Sequence, residues 1–441
     1  MPASTQFGIP TSAYVHIPFC RRRCFYCDFP VSIVGDRPPR SRQADASQQF
    51  GTIAEYLHYL IQEIETTPSL GAPLQTIFFG GGTPSLLTAQ QLDQILDALD
   101  QRFGIDSTAE ISIEMDPGTF DQRRLAGYQA AGVNRISLGV QAFQADLLAA
   151  CGRTHTPEDV SEAIAMLKRA NITNVSLDLI SGLPHQTLDQ WNDSLRQAIE
   201  YAPAHLSIYD LTIEPMTAFG RWYEPGSAPL PADEMTADMY RIAEHTLTAA
   251  GYEHYEISNY AQPGYSCCHN RVYWENRPYY GFGMGAASYI NGHRWSRPRT
   301  RRDYYTWVHT FAQNGGQSDC PVTPPDEVLL DTLMLGLRLS DGIRVDALIR
   351  QFGEHSVQRV LRCLAPYIEQ KWVVLETLTG RSPYALRISN GMMPNGMMPE
   401  GASKYDLLPQ LRIRLTDPEG FLFSNRVLAE IFKEFSSEER I

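Results

Sequence analysis

The sequence predicts an α/β fold: a partial (β/α)6 TIM-like barrel followed by a mostly helical C-terminal domain that ends in a winged-helix-like element. From Ala13 to Pro215, short apolar runs of strand length alternate with amphipathic stretches. Each run is rich in β-branched or aromatic residues, as expected of buried strands. Six such strands separated by helices imply right-handed βαβ units and a parallel sheet, whose site lies at the carboxyl ends of the strands.

The individual elements follow from these patterns. The six predicted strands are 13–17, 76–79, 111–114, 135–138, 175–179 and 205–209. Two of the helices between them are marked by apolar residues at helical spacing, namely Leu92, Ile95, Leu96, Leu99 and Phe103 in one and Val160, Ala163, Ile164 and Leu167 in the other.

Beyond the barrel the pattern changes. It predicts a helix over 233–251 that ends at Gly251, a second helix over 324–350, and two short strands and a helix over 411–433. The segment 390–399 contains a direct repeat rich in turn formers, which predicts a mobile surface insertion. A methionine-rich tract that binds metal or heme is the alternative for this repeat.

Length and composition bound the domain organisation and the class of protein. The chain has 441 residues, so we expect a barrel at 1–230, a connecting region at 231–320 and a C-terminal domain at 321–441. The formal net charge of −13 disfavours nucleic-acid binding. No apolar run is long enough for a membrane span, which leaves only peripheral membrane contact possible. The cysteine usage favours a cytoplasmic protein.

Three cysteines near the N-terminus give the strongest functional signal. Cys20, Cys24 and Cys27 are separated by three residues and then by two. Three thiolates can hold three irons of a [4Fe-4S] cluster and leave the fourth iron open for chemistry. The spacing differs from the two Cys-x-x-Cys pairs of many zinc sites, but a zinc-binding structural protein remains an alternative.

Polar or glycine-rich sequence also follows successive strands. Segment 80–85, Gly-Gly-Gly-Thr-Pro-Ser, comes directly after the second strand, where glycines let the backbone approach a ligand closely. Glu114 ends the third strand, Gln141 follows the fourth and Asp178 lies in the fifth. Each alone is explained as a satisfied buried polar group. Their recurrence at the same ends of successive strands predicts a binding site.

The cysteine spacing resembles that of the radical S-adenosylmethionine (SAM) superfamily. Four segments together resemble the oxygen-independent coproporphyrinogen III oxidase family within it, namely 14–20, 80–85, 139–141 and 178–184. The resemblance extends from about residue 12 to residue 436 and implies a barrel of the radical SAM type with the family's C-terminal domain.

The resemblance also implies cofactors and the residues that hold them. Cys20, Cys24 and Cys27 would ligate the [4Fe-4S] cluster. The residues implied to contact SAM are Tyr14, Tyr26, Gly81, Gly82, Thr83 and Glu114, and those matching nucleotide contacts, including a second SAM in the oxidase, are Gln141, Arg153, Asp178 and Thr212.

The family has an oxidase branch and a heme chaperone branch. Oxidases carry a further cysteine two residues after the third ligand and a longer N-terminal extension, whereas here Phe29 stands at that position and the first strand begins by about residue 12. The chaperone branch carries a His-Asn-x-x-Tyr-Trp element. It corresponds here to the expected heme contacts His269, Asn270, Tyr273 and Trp274, because imidazole can ligate heme iron and aromatic rings can cover a porphyrin face.

The resemblance therefore predicts a heme chaperone that binds a [4Fe-4S] cluster, SAM and heme, and passes heme to an acceptor protein. A flavodoxin or ferredoxin is the expected electron donor. The alternative is the oxidase itself, which decarboxylates propionate side chains of coproporphyrinogen III in porphyrin biosynthesis, so the sequence leaves open whether the chain is an enzyme.

Overall fold

The computed structural model describes residues 8–35, 46–377 and 410–436. Within them the chain divides into two compact units. The first unit consists of Met1–Glu253, Tyr260–Val272 and Arg277–Val322, and the second of His254–Asn259, Tyr273–Asn276 and Thr323–Ile441. Most residues of the expected connecting region fall in the first unit. The repeat at 390–399 lies outside the described residues.

The strands are numbered in chain order. They are β1 (Ser12–Ile17), β2 (Phe19–Cys20), β3 (Ser32–Ile33), β4 (Leu74–Gly81), β5 (Ile105–Met115), β6 (Arg135–Gln141), β7 (Val175–Ser181), β8 (His205–Asp210), β9 (Glu253–Glu256), β10 (Asn259–Ala261), β11 (Tyr280–Phe282), β12 (Ala287–Ile290), β13 (His293–Ser296), β14 (Ile343–Arg344), β15 (Val373–Thr377) and β16 (Leu411–Leu415).

The helices are numbered in the same way. They are α1 (Ala46–Thr66), α2 (Ala89–Phe103), α3 (Gln122–Ala130), α4 (Ala145–Ala150), α5 (Pro157–Arg169), α6 (Leu188–Tyr201), α7 (Ala218–Trp222), α8 (Asp233–Ala249), α9 (Cys268–Trp274), α10 (Arg301–Gln313), α11 (Pro325–Gly336), α12 (Val345–Glu369), α13 (Glu419–Leu422) and α14 (Ser424–Ser436). None of the described helices is long and apolar enough to cross a membrane.

The first unit is built on a parallel sheet. Its strands lie in the order β11-β1-β4-β5-β6-β7-β8, and all neighbours in this series are parallel. All six predicted strands are confirmed, in sequential order with a helix between each pair. The prediction missed β11, which adds a seventh parallel strand beside β1, because three residues are too few to show a period. The barrel-like α/β architecture predicted from the sequence is confirmed.

Three of the described helices begin with a capping box built on a threonine. At Thr88 the hydroxyl accepts a hydrogen bond from Gln91 N at 3.2 Å, and Thr88 N donates to Gln91 Oε1 at 2.9 Å. The same reciprocal pattern occurs at Thr156 and Thr187. Because these capping boxes fix the start of α2, α5 and α6, they also fix the far ends of the loops that surround the carboxyl ends of the strands.

In the second unit the structure corrects two predictions. The single helix expected over 324–350 is two helices, α11 and α12, separated by β14. Gly336 ends α11 in close contact with that strand, since a Cβ there would lie 2.7 Å from Ile343 Cγ1. The two strands expected over 411–433 are one strand, β16, whose partners β14 and β15 precede it in the chain. The helix predicted over 233–251 is confirmed as α8.

A buried ion pair stabilises the first unit. Glu63 on α1 accepts hydrogen bonds from Arg297 Nε at 2.7 Å, Tyr304 OH at 2.6 Å and Gly283 N at 2.9 Å. Both charged side chains are almost completely buried, at 0% and 1% exposed. Since removal of one partner leaves an uncompensated buried charge, this network ties α1 to α10 and to the segment that follows β11.

We expect Glu63→Ala to lower the free energy of unfolding by about 3 to 5 kcal/mol, because Arg297 then stays buried without its carboxylate. Chemical denaturation measures this change. The matched control is Glu65→Ala, an exposed position on the same helix, for which a change within about 0.5 kcal/mol is expected. Equal losses in the two variants would contradict the assignment of Glu63 as a structural ion-pair partner.

Candidate cofactor site

A cavity of about 410 Å³ lies at the carboxyl ends of the parallel strands in the first unit. The cysteines Cys20, Cys24 and Cys27 line it. So do nine of the ten residues expected to contact SAM, namely Tyr26, Gly81, Gly82, Thr83, Glu114, Gln141, Arg153, Asp178 and Thr212. The tenth, Tyr14, lies on β1 and its hydroxyl is 3.1 Å from His16 Nδ1.

The cysteine loop is held by backbone hydrogen bonds at its ends and in its middle. At its ends β2 and β3 pair, with Val34 N donating to Cys20 O at 2.9 Å. In the middle, Phe25 N donates to Cys151 O at 3.0 Å, and Phe25 O accepts from Phe219 N at 2.9 Å. These contacts fix the shape of the loop, although its regular secondary structure is limited to the two-residue strands β2 and β3.

Two glycines of the 80–85 segment are required by the close packing of the protein around them. Gly81 has φ +107°, and a Cβ there would lie 2.3 Å from the His16 ring. A Cβ at Gly82 would lie 2.8 Å from the carbonyl oxygens of Ile17 and Phe19. These positions exclude side chains because the segment packs directly on β1 and the cysteine loop, which places its backbone at the cavity wall.

The three cysteines fit the ligand set of a [4Fe-4S] cluster. All are free thiols, and burial raises the pKa of Cys20 to about 12 and also raises that of Cys27. Among the described residues no three His, Cys, Asp or Glu side chains are grouped around one metal position. Each cysteine of a [4Fe-4S] cluster binds a different iron, so such a cluster does not require the sulfurs to converge on one ion.

Two of the six carboxyl groups that line the cavity are those of Glu114 and Asp178. Glu114 Oε2 accepts from Gly81 N at 3.0 Å, and Asp178 accepts from Ser137 Oγ at 2.9 and 2.8 Å and from Ser176 Oγ at 3.0 Å. Burial, and then the Asp178 charge, raises the pKa of Glu114 to about 8. Burial also raises the pKa of Asp178. Such groups suit a ligand with an amine and ribose hydroxyls.

Among the polar residues at this site that sequence reasoning missed, two contact Arg153. Asp116 lines the cavity and forms an ion pair with Arg153. His155 contacts the same nitrogen of Arg153 as Asp116 does, with its Nδ1 at 3.3 Å from Nη2. Asp116 follows Glu114 by two positions, the spacing that returns a side chain to the same face of a strand, so the period could have revealed it. His155 is in a loop and carried no such signal.

The four expected heme contacts do not lie among the residues that line this cavity. His269 is 1% exposed, and its Nδ1 lies 2.8 Å from Thr76 Oγ1 while its ring stacks on Phe78. Burial lowers the pKa of His269 to about 3. Asn270 follows it on α9. Tyr273 and Trp274 belong to the second unit, where the Arg338 guanidinium lies 5.4 Å from the Trp274 ring centre.

Three thiols and a glycine-rich loop at the carboxyl ends of a partial barrel define a radical SAM protein. The chain matches the Radical SAM superfamily over residues 14–198 and the HemN C-terminal domain over residues 323–377. It is 45% identical to heme chaperone HemW of Synechocystis sp. over 428 residues, which cover 96% of this chain and 97% of the relative. The chain belongs to the HemW family.

The chain is also similar to a second relative and to a solved structure. Heme chaperone HemW of Bacillus subtilis is 36% identical over 346 residues, which cover 78% of this chain and 87% of that protein. Among solved structures, coproporphyrinogen III oxidase (HemN) from Escherichia coli, a radical SAM enzyme, has a TM-score of 0.73 at 22% identity, with 98% of this chain and 92% of that chain covered. The second likeness is one of fold.

We expect serine substitution at Cys20, Cys24 and Cys27 together to abolish iron and sulfide incorporation during anaerobic reconstitution, because serine hydroxyls do not replace thiolate ligands of the cluster. Iron and sulfide per chain are the measured quantities. Cys320→Ser, a free cysteine outside the cavity, serves as the control and should load normally. Normal loading of the triple variant would contradict the assigned ligands.

The raised pKa of Glu114 predicts a pH dependence of stability for the protein without cofactors. Between the ordinary value of 4.5 and about 8, the folded chain retains a proton that the unfolded chain releases. The free energy of unfolding should therefore fall as the pH rises through this window. In Glu114→Gln this decline should be weaker, as measured by denaturation at several pH values. An unchanged profile in Glu114→Gln, or an equal change in the exposed-site control Glu158→Gln, would count against this interpretation.

Proposed function

We propose that this protein is a heme chaperone that binds a [4Fe-4S] cluster, SAM and heme, and delivers the heme to an acceptor protein. The observation that carries the proposal is the 45% identity to the Synechocystis heme chaperone, which extends over 96% of the chain. Such coverage includes the residues of both compact units. The oxidase shares the fold at 22% identity, and the presence of Phe29 in place of the oxidase's additional cysteine favours the chaperone branch.

The cavity is proposed to hold the cluster and SAM side by side. When bound, these cofactors would supply one-electron chemistry at the sulfonium of SAM. Cys20, Cys24 and Cys27 would ligate three irons. Glu114 and Asp178 would accept hydrogen bonds from the amine and the ribose hydroxyls, which carry the donors that buried carboxyl groups need. The other SAM contacts expected from the sequence are proposed to act at the same cavity. Tyr14 is the exception, because it does not line the cavity.

Heme is proposed to contact the element formed by His269, Asn270, Tyr273 and Trp274. A porphyrin cannot reach an imidazole that is 1% exposed, so iron ligation by His269 requires the ring to leave its contacts with Thr76 and Phe78. We expect heme binding through this element to be accompanied by a local rearrangement at the start of α9.

A flavodoxin or ferredoxin is the proposed electron donor, and the cytoplasm the proposed location. Arg22 and Arg23 are exposed on the cysteine loop, and Arg23 Nη1 donates to Cys27 O at 3.3 Å. A positive face next to the cluster ligands would steer an acidic carrier towards the cluster. The chain as a whole is acidic, which makes this basic segment distinctive.

Heme titration of the anaerobically purified, cluster-loaded protein tests the function. We expect a change in the heme absorption spectrum that saturates at one heme per chain, and no protoporphyrinogen when coproporphyrinogen, SAM and reductant are supplied. Lack of any spectral change at stoichiometric heme would refute the chaperone assignment. Protoporphyrinogen formation would instead support the assignment as an oxidase. A colourless protein that contains zinc and no iron would support the assignment as a structural zinc-binding protein.

The proposed heme element is tested by His269→Ala. We expect an altered or lost heme spectrum, because imidazole is a common axial ligand of heme iron. His309→Ala is the matched control, since His309 is exposed on α10, and its titration should match that of the unsubstituted chain. Identical heme titrations for His269→Ala and the unsubstituted chain would remove this histidine from the heme site.

A further inference from the structure

One of the cofactor contacts expected from the sequence, Arg153, has hydrogen bonds that a role in binding SAM does not explain. Arg153 is 8% exposed, and its Nη2 donates to Asp116 Oδ1 and to Gly139 O, the latter at 3.0 Å. The same nitrogen lies 3.3 Å from His155 Nδ1. We name Asp116, Gly139 O and His155 the arginine cage. The cage holds one side of the guanidinium.

The other side of the guanidinium reaches a cluster ligand. Arg153 Nη1 donates to Cys24 Sγ at 3.5 Å. Because Nη1 and Nη2 are fixed in one plane, the cage contacts at Nη2 determine the direction of the Nη1 donor. Arg153 can therefore satisfy Asp116 and the sulfur at the same time.

Thr83 differs from Arg153 in this respect. Its Oγ1 lies 3.1 Å from Asp116 Oδ2 and 3.7 Å from Cys20 Sγ. A hydroxyl has one proton to donate, and the closer, charged carboxylate takes it. Asp116 thus directs the Thr83 proton away from Cys20 while it directs an Arg153 proton towards Cys24. One carboxylate thus contacts both the donor that faces Cys20 and the donor that faces Cys24.

His155 supports the cage in a single tautomer. Its Nε2 lies 3.1 Å from Val140 O, a group that only accepts, so Nε2 carries the proton and Nδ1 presents a lone pair to Arg153. Burial, and then the Arg153 charge, lowers the pKa of His155 to about 4. The ring is therefore neutral at physiological pH. Because Nη2 has only two protons, the Nδ1 lone pair shares one of them with Asp116 or Gly139 O.

We propose that Asp116, assisted by His155, is a positioning residue that aims Arg153 at the sulfur of Cys24 and thereby sets the reduction potential of the [4Fe-4S] cluster. Hydrogen bonds to the sulfurs stabilise the reduced, more negative cluster and raise its potential. The proposal rests on the cluster-binding part of the proposed function. It assigns Asp116 and His155 no contact with cluster, SAM or heme.

The test is a double-mutant cycle on the reduction potential of the reconstituted full-length chain, measured without SAM by potentiometric titration followed by electron paramagnetic resonance. Arg153→Lys keeps the positive charge but loses the planar guanidinium that donates to Cys24 Sγ. It should therefore shift the reduction potential to more negative values at unchanged iron content. Asp116→Asn also alters the potential directly through its lost charge. The direct effect of the lost charge on the potential adds to the effect of Arg153→Lys. An effect of Asp116 that acts by positioning Arg153 does not add, so the cycle measures the coupling between Asp116 and Arg153.

The expected result is that Arg153→Lys shifts the potential clearly in the unsubstituted background and little or not at all in the Asp116→Asn background. Arg169→Lys, the same substitution at an exposed position of α5, should leave the potential unchanged. Shifts of equal size in both backgrounds, or no shift from Arg153→Lys, would overturn the proposal.

A second cycle keeps the proposal falsifiable if Asp116→Asn does not fold. His155→Phe retains a ring and removes the acceptor, and His155 does not line the cavity. Its cycle with Arg153→Lys should show the same loss of effect, and additive shifts would overturn the assisting role of His155. If the unsubstituted chain holds no cluster, the proposed function itself is overturned. If the chain holds a cluster whose potential does not depend on the arginine cage, only the positioning proposal is overturned.

Discussion

The site depends on two backbone hydrogen bonds that join the glycine-rich segment to the cysteine loop. Gly82 N donates to Ile17 O at 2.9 Å and Thr83 N donates to Phe19 O at 2.7 Å. A side chain at Gly82 would occupy this contact. Because β1 and β4 are adjacent parallel strands, the loops that follow them meet at one edge of the sheet, and the two bonds fix the proposed cluster ligands next to the proposed SAM loop.

The electrostatics of the cavity follow from this arrangement. Partly buried thiols and carboxyl groups share the cavity with the guanidinium of Arg153. Burial raises the pKa values of Cys20 and Glu114, so both groups keep their protons to a higher pH than usual. Cluster binding requires deprotonated thiols, so loading must release protons and add negative charge beside Arg153. An arginine, which stays charged at all accessible pH values, is suited to that position.

The sequence predicted the sheet well because each strand is a short apolar run between amphipathic helices. It also predicted that Glu114, Gln141 and Asp178 would meet, since carboxyl ends of parallel strands share an edge. It could not predict contacts that depend on distant packing. Strand β11 pairs with β1 across more than 200 residues of chain, and His155 gains its role only through the tautomer that Val140 O imposes. The burial of His269 likewise depends on Thr76 and Phe78, which lie far away in sequence.

The central claim is that three cysteines hold an iron–sulfur cluster whose fourth iron faces the SAM site in the cavity. Mössbauer spectroscopy of the reconstituted chain, recorded with and without SAM, tests it most directly. We expect a [4Fe-4S] spectrum in which one iron site changes on addition of SAM while the other three stay the same. A spectrum in which no iron responds to SAM, or a preparation without such a cluster, would contradict it.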